Sequence, residues 1–166
     1  MPDFFHGKPL PRSDYPPDTD EKKKNVAAFF GGPAAPPKNV EKVLEMVKAI
    51  GEKHSGIKKW GSVGMCWGGK VSSSLPQPLP IRKLAADNTF QIVSLTAQAN
   101  TPFSAVAEVH PAMVDANDAK GIKVPLCMLA SKDEDPEAVK KFGEALTVKS
   151  HIETFDDQVH GWMSAR

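Results

Sequence analysis

The feature that most constrains the fold of this chain is a short β-type run followed by a glycine-rich turn around a cysteine. Residues 62–65 are followed by Cys66-Trp67-Gly68-Gly69, and Gly64 precedes the cysteine by two positions. The spacing Gly-x-Cys-x-Gly is typical of a strand that turns sharply into a helix, because neighbouring Cβ atoms would clash at the bend. We predict that Cys66 is a nucleophile held at this elbow and that the backbone N–H of Trp67 is an oxyanion-hole donor. The alternative is a buried cysteine that only packs beside the turn.

The segments around the elbow predict alternating helices and strands. Helical spacing of apolar residues predicts a helix over 39–55, capped by Asn39, and an earlier helix from about Asp18 to Phe30. A further helix is expected to begin at Pro136, with Asp135 as its cap, because proline is favoured at the first helical position. Shorter runs predict helical segments over 92–97 and 113–120 and strands over 57–65, 105–109, 124–130 and 148–155. This order predicts an α/β fold with a mostly parallel sheet and helices on both faces.

Composition narrows the classes of partner. The chain has 166 residues, enough for one domain, and 21 Lys and Arg against 20 Asp and Glu leave a net charge of +1. That charge is too small to favour nucleic acid or an anionic membrane surface. The sequence has neither an apolar run that could span a bilayer nor a signal-peptide pattern at its start. We therefore expect a cytoplasmic monomer or weak homodimer whose partner is a small molecule.

Residues 71–91 interrupt the predicted pattern directly after the elbow. Pro76, Pro78 and Pro80 lie where the next helix should run, and a proline inside a helix costs about 3 kcal/mol. We predict that 71–91 is a disordered insertion. Codons for Val71-Ser72, Ala86-Asp87 and Phe90-Gln91 can spell the donor, branch and acceptor signals of an intron in the correct order. A translated intron is therefore one hypothesis for its origin.

Two further polar groups follow predicted strands in the order of a hydrolase triad. Asp133 comes after the strand over 124–130, and His160 comes after the strand over 148–155. Since catalytic loops lie at the carboxyl ends of strands in open α/β sheets, we expect Cys66, Asp133 and His160 to meet. His160 would take the proton of Cys66, and Asp133 would orient the imidazole. A solvated loop acid and a histidine satisfied by backbone groups are the alternatives.

Two other residues are candidates for the wall of a cleft. His110 precedes Pro111 and either lines the cleft or is a structural histidine. Trp162 lies two residues after His160 and either walls an apolar pocket or packs in the core. Cys66 and Cys127, the two cysteines of the chain, show neither a disulfide framework nor the spacing of metal ligands. We therefore predict no metal site from the spacing.

Together these motifs resemble the dienelactone hydrolase family. The resemblance rests on residues 64–69, on Asp133 after its strand and on His160-Gly161-Trp162, with further likeness over 1–11 and 103–115. It implies an α/β-hydrolase that opens a small ester or lactone through a Cys-Asp-His triad and a covalent acyl-enzyme. It implies no metal or organic cofactor. Arg166 lies near the place where bacterial members hold the substrate carboxylate with an arginine, although its spacing differs.

The same resemblance predicts a partial domain. The first strands of the family have no counterpart before Met1, so we expect one incomplete α/β-hydrolase domain over 1–166. Two function classes besides a hydrolase stay open. One is a non-catalytic fragment or binding module, and the other is a redox protein that uses Cys66.

Overall fold

The computed structural model describes residues 3–66, 92–112 and 114–164. The predicted insertion at 71–91, Trp67 and Arg166 therefore lie outside the described residues. The interpretation of 71–91 as a disordered insertion stays a prediction.

A four-stranded parallel sheet forms the centre of the described chain. Its strands lie in the order β1-β2-β3-β4, which is also their order in the sequence, and each neighbouring pair is parallel. The strands are β1 (Trp60–Met65), β2 (Phe103–Val109), β3 (Leu126–Ser131) and β4 (Ser150–Phe155). Parallel neighbours need crossover connections, and helices lie between the strands in sequence. The predicted α/β fold with a parallel sheet is confirmed.

The helices follow the predicted order with shifted bounds. They are a 3₁₀ turn (Arg12–Asp14), α1 (Asp20–Gly31), α2 (Pro36–Lys53), α3 (Ile92–Thr96), α4 (Ala116–Gly121) and α5 (Pro136–Ala145). As predicted, Asp135 caps α5, because its side chain accepts the N–H of Glu137 at 3.0 Å and Pro136 takes the first helical position. None of the described helices is both long enough and apolar enough to cross a membrane.

The predicted role of Asn39 as the cap of α2 is wrong. The helix begins earlier, at Pro36, with Ala35 in the N-cap position. Asn39 is buried inside the first turns, and its Nδ2 donates to the carbonyl oxygens of Pro33 at 3.0 Å and Ala35 at 2.8 Å. The side chain therefore ties the start of the helix to the bend that precedes it.

One continuous core joins the sheet to the three later helices. Its buried members are Val93, Ala97, Phe103, Val106, Ala119, Ile122, Leu126, Met128, Ala130, Val139 and Phe142. The helix α5 lies close to β4, since a Cβ atom added at Gly143 would be 2.9 Å from Cδ1 of Ile152. Because β3 and β4 are parallel and Ser131 pairs with Phe155, the two segments that follow these strands lie at the same edge of the sheet.

Candidate active site

The register between β1 and β2 brings Cys66 next to His110. Met65 pairs with Val109, and each is the last residue of its strand, so the next residues leave the sheet side by side. The N–H of Cys66 donates to the carbonyl oxygen of Val109 at 3.2 Å, and the N–H of His110 donates to that of Leu129 at 2.7 Å. Both residues therefore lie at the carboxyl edge of the sheet.

Both residues also have a left-handed backbone. The φ angle is 55° at Cys66 and 38° at His110. A residue with a Cβ atom is strained in this region, and such strain is concentrated at functional sites. Cys66, the residue predicted to lie at the sharp turn after the strand, therefore has a strained backbone.

His160 contacts the sulfur of Cys66 from the loop that follows β4. Its Nε2 lies 3.3 Å from Sγ, and the two residues are 94 positions apart in sequence. The N–H of Lys132 donates to the carbonyl oxygen of Gln158 at 3.2 Å, which ties this loop to the turn after β3. The expected meeting of Cys66 and His160 is therefore present.

The structure corrects the expectation for the acid. Oε1 of Glu134, not a carboxylate oxygen of Asp133, lies 2.7 Å from Nδ1 of His160. Asp133 instead accepts the backbone N–H of His160 through Oδ2, at 2.8 Å. Both acids thus hold the same histidine, but Glu134 occupies the position that the triad gives to its orienting carboxylate.

The turn after β3 explains why Glu134 points inward. The backbone N–H of Ser131 donates to Oε2 of Glu134, so this carboxylate folds back over the end of the strand. Its side chain is only 3 % exposed, whereas Asp133 lies on the exposed side of the turn. Counting residues from the strand end cannot resolve which of two adjacent acids turns inward, and the sequence has no other signal for Glu134.

The surroundings of His160 favour its charged form. Burial by itself would lower the pKa of His160, but the hydrogen bonds with Cys66 and Glu134, and the charges of these groups, raise it to about 9. Its ordinary value is 6.5. The imidazole is therefore protonated at neutral pH in this site.

The remaining predicted site residues are placed as follows. His110 is fully buried, and its ring contacts that of His160 edge to face, with centroids 4.8 Å apart. It lies against the imidazole and is too buried to be an open cleft wall. The ring of Trp162 contacts that of Phe155 with centroids 4.8 Å apart, and both residues are half-buried, so the choice between a pocket wall and core packing stays open. Trp67 and Arg166 are outside the described chain, so their roles stay predictions.

A buried acid on β2 was not foreseen from the sequence. Glu108 is fully buried and accepts a hydrogen bond from the hydroxyl of Ser94. Burial raises its pKa to about 7 from 4.5, the bond from Ser94 lowers it, and the charge of Asp118 raises it. Glu108 therefore holds a proton in the folded protein over a pH range in which an exposed glutamate has lost it.

Three groups at the sheet edge could hold a metal ion. The Sγ atom of Cys66 and one ring nitrogen each from His110 and His160 all lie within 4.8 Å of one another. Thiolate and imidazole are common ligands of Zn²⁺. This set combines the pair at the strand ends with the histidine after β4, so spacing in the sequence could not reveal it.

Two curated relatives are similar to the whole chain, and both are described as uncharacterized AIM2 family proteins from Schizosaccharomyces pombe. One is 34% identical over 171 aligned residues, and the other is 31% identical over 174. Each alignment covers all of this chain and 60% of the relative, so the chain spans well under two thirds of their length. No family model and no solved structure matched the chain.

Proposed function

We propose that this protein is a hydrolase of the dienelactone hydrolase type, which cleaves a small ester or lactone through Cys66, His160 and Glu134. The observation that carries the proposal is the 3.3 Å contact between Sγ of Cys66 and Nε2 of His160. The contact is made at a strained residue at the carboxyl edge of a parallel sheet, where the residue after a strand can present its side chain to a substrate.

Acylation would begin from a thiolate beside a charged imidazole. The pKa of about 9 keeps His160 protonated near neutral pH, and in the proposed mechanism this charged imidazole is paired with the thiolate of Cys66. The thiolate attacks the carbonyl carbon and forms a C–S bond, so the carbonyl electron pair moves to oxygen. As that pair returns, the ester C–O bond breaks and Nε2 of His160 gives its proton to the leaving alkoxide. A thioester on Cys66 and an alcohol are the products.

Deacylation would use the same histidine as a base. Neutral His160 takes a proton from water as the water oxygen attacks the thioester carbon. The C–S bond then breaks, the carboxylic acid leaves, and Cys66 and His160 return to their starting charges. In a lactone, the alcohol and the acid are two ends of one product. The backbone N–H of Trp67 remains the expected oxyanion donor.

Glu134 and Asp133 have separate positioning roles in this proposal. Glu134 accepts the Nδ1–H of His160, which directs Nε2 towards the sulfur and stabilises the positive charge. Asp133 fixes the backbone of the same residue through its N–H. Both contacts reduce the number of orientations that the imidazole can adopt.

Acid-quenched acetylation tests the proposal. The folded full chain is mixed with p-nitrophenyl acetate, stopped with acid and mapped by peptide mass spectrometry. We expect one acetyl group per chain on Cys66, formed with a burst of p-nitrophenolate. His160→Gln should slow acetylation by roughly 10²- to 10⁴-fold, the range of general acid–base catalysis. Cys127→Ser is the matched control and should react like the wild type.

The alternatives predict different results. Equal acetylation of Cys66 and Cys127, or acetylation independent of His160 in folded protein, would support a non-catalytic fragment. Peroxide oxidation of Cys66 at the same rate in wild type and His160→Gln, without ester turnover, would support the redox alternative.

A further inference from the structure

We infer that Cys66, His110 and His160 also form a binding site for a borderline-soft divalent cation, for which Zn²⁺ is the best fit. The inference begins from donor chemistry. The set has one sulfur and two imidazoles, which suit Zn²⁺ and disfavour Mg²⁺ and Ca²⁺, since those ions prefer oxygen ligands.

The distances suit this ion. With Zn–S near 2.3 Å and Zn–N near 2.0–2.1 Å, tetrahedral ligand atoms lie roughly 3.3–3.6 Å from one another. Sγ of Cys66 and Nε2 of His160 are already 3.3 Å apart, and the nitrogen of His110 completes a set within 4.8 Å. Closing the set therefore needs the farthest ligand atoms to approach by up to about 1.3 Å, within the range of small rotations of the half-buried Cys66 and His160 side chains.

The environment of each ligand supports the inference independently of these distances. Metal-bound histidines usually donate their other ring N–H to a carboxylate, which fixes the ring and leaves the second nitrogen for the ion. His160 has this arrangement, because Glu134 lies at its Nδ1 and Nε2 points to the sulfur. His110 is fully buried beside it, so its ring is held in place before the ion arrives. Three protein ligands leave a fourth position open.

Binding would withdraw both reacting atoms from catalysis. The cation displaces the proton of Nε2 into solvent and takes the lone pairs of Sγ and of Nε2, so the sulfur cannot attack and Nε2 cannot carry a proton. This inhibitory consequence rests on the proposed function, but the binding site itself does not. Zn²⁺ and an ester would then compete for one centre.

Metal protection of the thiols tests the inference. The folded full chain is treated with iodoacetamide, with and without excess Zn²⁺, and alkylation of Cys66 and Cys127 is followed in the same sample by peptide mass spectrometry. We expect Zn²⁺ to slow alkylation of Cys66 by about tenfold or more, because a bound thiolate is a poor nucleophile. Cys127, on β3, should change less than about twofold, and EDTA should restore the rate at Cys66. Equal slowing of the two cysteines, or no slowing, would overturn the inference.

Substitution of His110 then tests whether this residue is a third ligand besides Cys66 and His160. His110→Gln should raise the Zn²⁺ concentration for half-protection by about tenfold or more, whereas His151→Gln, an exposed histidine, should leave it unchanged. Undiminished protection in folded His110→Gln would contradict a three-ligand site. X-ray absorption at the zinc edge checks the same point in the wild type, where we expect one sulfur and two imidazole ligands. A spectrum without sulfur or with one imidazole would reject the site.

The outcome is independent of ester turnover. If acetylation of Cys66 fails but Zn²⁺ protects Cys66 selectively, the proposed hydrolase is rejected and the metal site stands. If acetylation succeeds and Zn²⁺ protects neither cysteine, the metal site is rejected and the hydrolase stands.

Discussion

The carboxylate of Glu134 lies 2.7 Å from Nδ1 of His160, and that of the preceding residue, Asp133, accepts the backbone N–H of the same histidine at 2.8 Å. The two carboxylates differ in whether a neutral amide in the same position could keep their hydrogen bonds. An amide oxygen at position 133 can still accept a backbone N–H. An amide at position 134 would face the imidazole with its oxygen only by turning its nitrogen towards the N–H of Ser131, where two donors would meet.

Glu134→Gln should therefore damage the proposed reaction much more than Asp133→Asn. We expect a loss of kcat of roughly 10²- to 10⁴-fold for Glu134→Gln, because an amide favours the wrong tautomer of His160. Asp133→Asn should cost roughly threefold or less, since a neutral acceptor can keep this hydrogen bond. Steady-state hydrolysis of p-nitrophenyl acetate measures both. A larger loss in Asp133→Asn would return the orienting role to Asp133.

The raised pKa of His160 predicts a loss of stability at alkaline pH. Because the folded pKa of about 9 exceeds the ordinary 6.5, the stabilisation is complete below about pH 6.5 and is lost as pH rises towards and through 9. Urea unfolding from pH 6 to pH 10 should show a loss of about 1–2 kcal/mol in the wild type beyond that in His160→Gln. Titrating groups that do not contact His160 are common to both proteins and cancel. Parallel curves for the two proteins would contradict this prediction.

The left-handed backbone at Cys66 predicts that glycine is better tolerated there than alanine. The left-handed conformation costs a residue with a Cβ atom about 1–2 kcal/mol, and glycine avoids this cost. The greater conformational entropy of glycine in the unfolded chain removes about 0.4–1 kcal/mol of that advantage. Cys66→Gly should thus be more stable than Cys66→Ala by about 1 kcal/mol in urea unfolding, although neither can form a thioester. Ser62→Gly against Ser62→Ala, in β1, is the matched pair and should show the opposite order.

Because Glu108 is buried, we predict that its neutral isostere, glutamine, increases the stability of the protein at pH 8. Its folded pKa of about 7 lies above the ordinary 4.5, so its contribution to stability is lost as pH rises from about 4.5 through 7. Glu108→Gln should be more stable than the wild type at pH 8, by on the order of 1–3 kcal/mol, and closer to it at pH 5. Thermal unfolding at both pH values measures this, with exposed Glu144→Gln as control. Equal destabilisation at both pH values would show that the hydrogen bond with Ser94 matters more than the charge.

The order of the described elements and the bend at Cys66 were accessible from the sequence because both depend on local patterns. The repeat of apolar residues in α2 and the Asp135-Pro136 start of α5 indicate helices within a few positions of their bounds. Glycines around Cys66 indicate a bend that the backbone needs wherever the rest of the chain lies. These features can be predicted because local sequence alone determines them and tertiary contacts do not change them.

The corrected features depend on contacts between distant segments. The burial of Glu108 was not predicted because its partner, the hydroxyl of Ser94, lies on α3, outside the strand that carries Glu108. The choice between Asp133 and Glu134 is made by a backbone N–H at the strand end and by a histidine 26 positions away from Glu134. Likewise, the place of His110 follows from strand register, which no local pattern fixes.

The distance of 94 positions between Cys66 and His160 has a consequence for the order of events during folding. Parallel strands cannot pair through tight hairpins, so each addition to the sheet must wait for a complete crossover, and such non-local pairing is slow. Cys66 is in place when β1 pairs with β2, but its histidine arrives only after β4 has docked beside β3. A growing chain would thus carry Cys66 without its histidine until β4 has been synthesised and has docked, and would acquire the proposed reactivity only then.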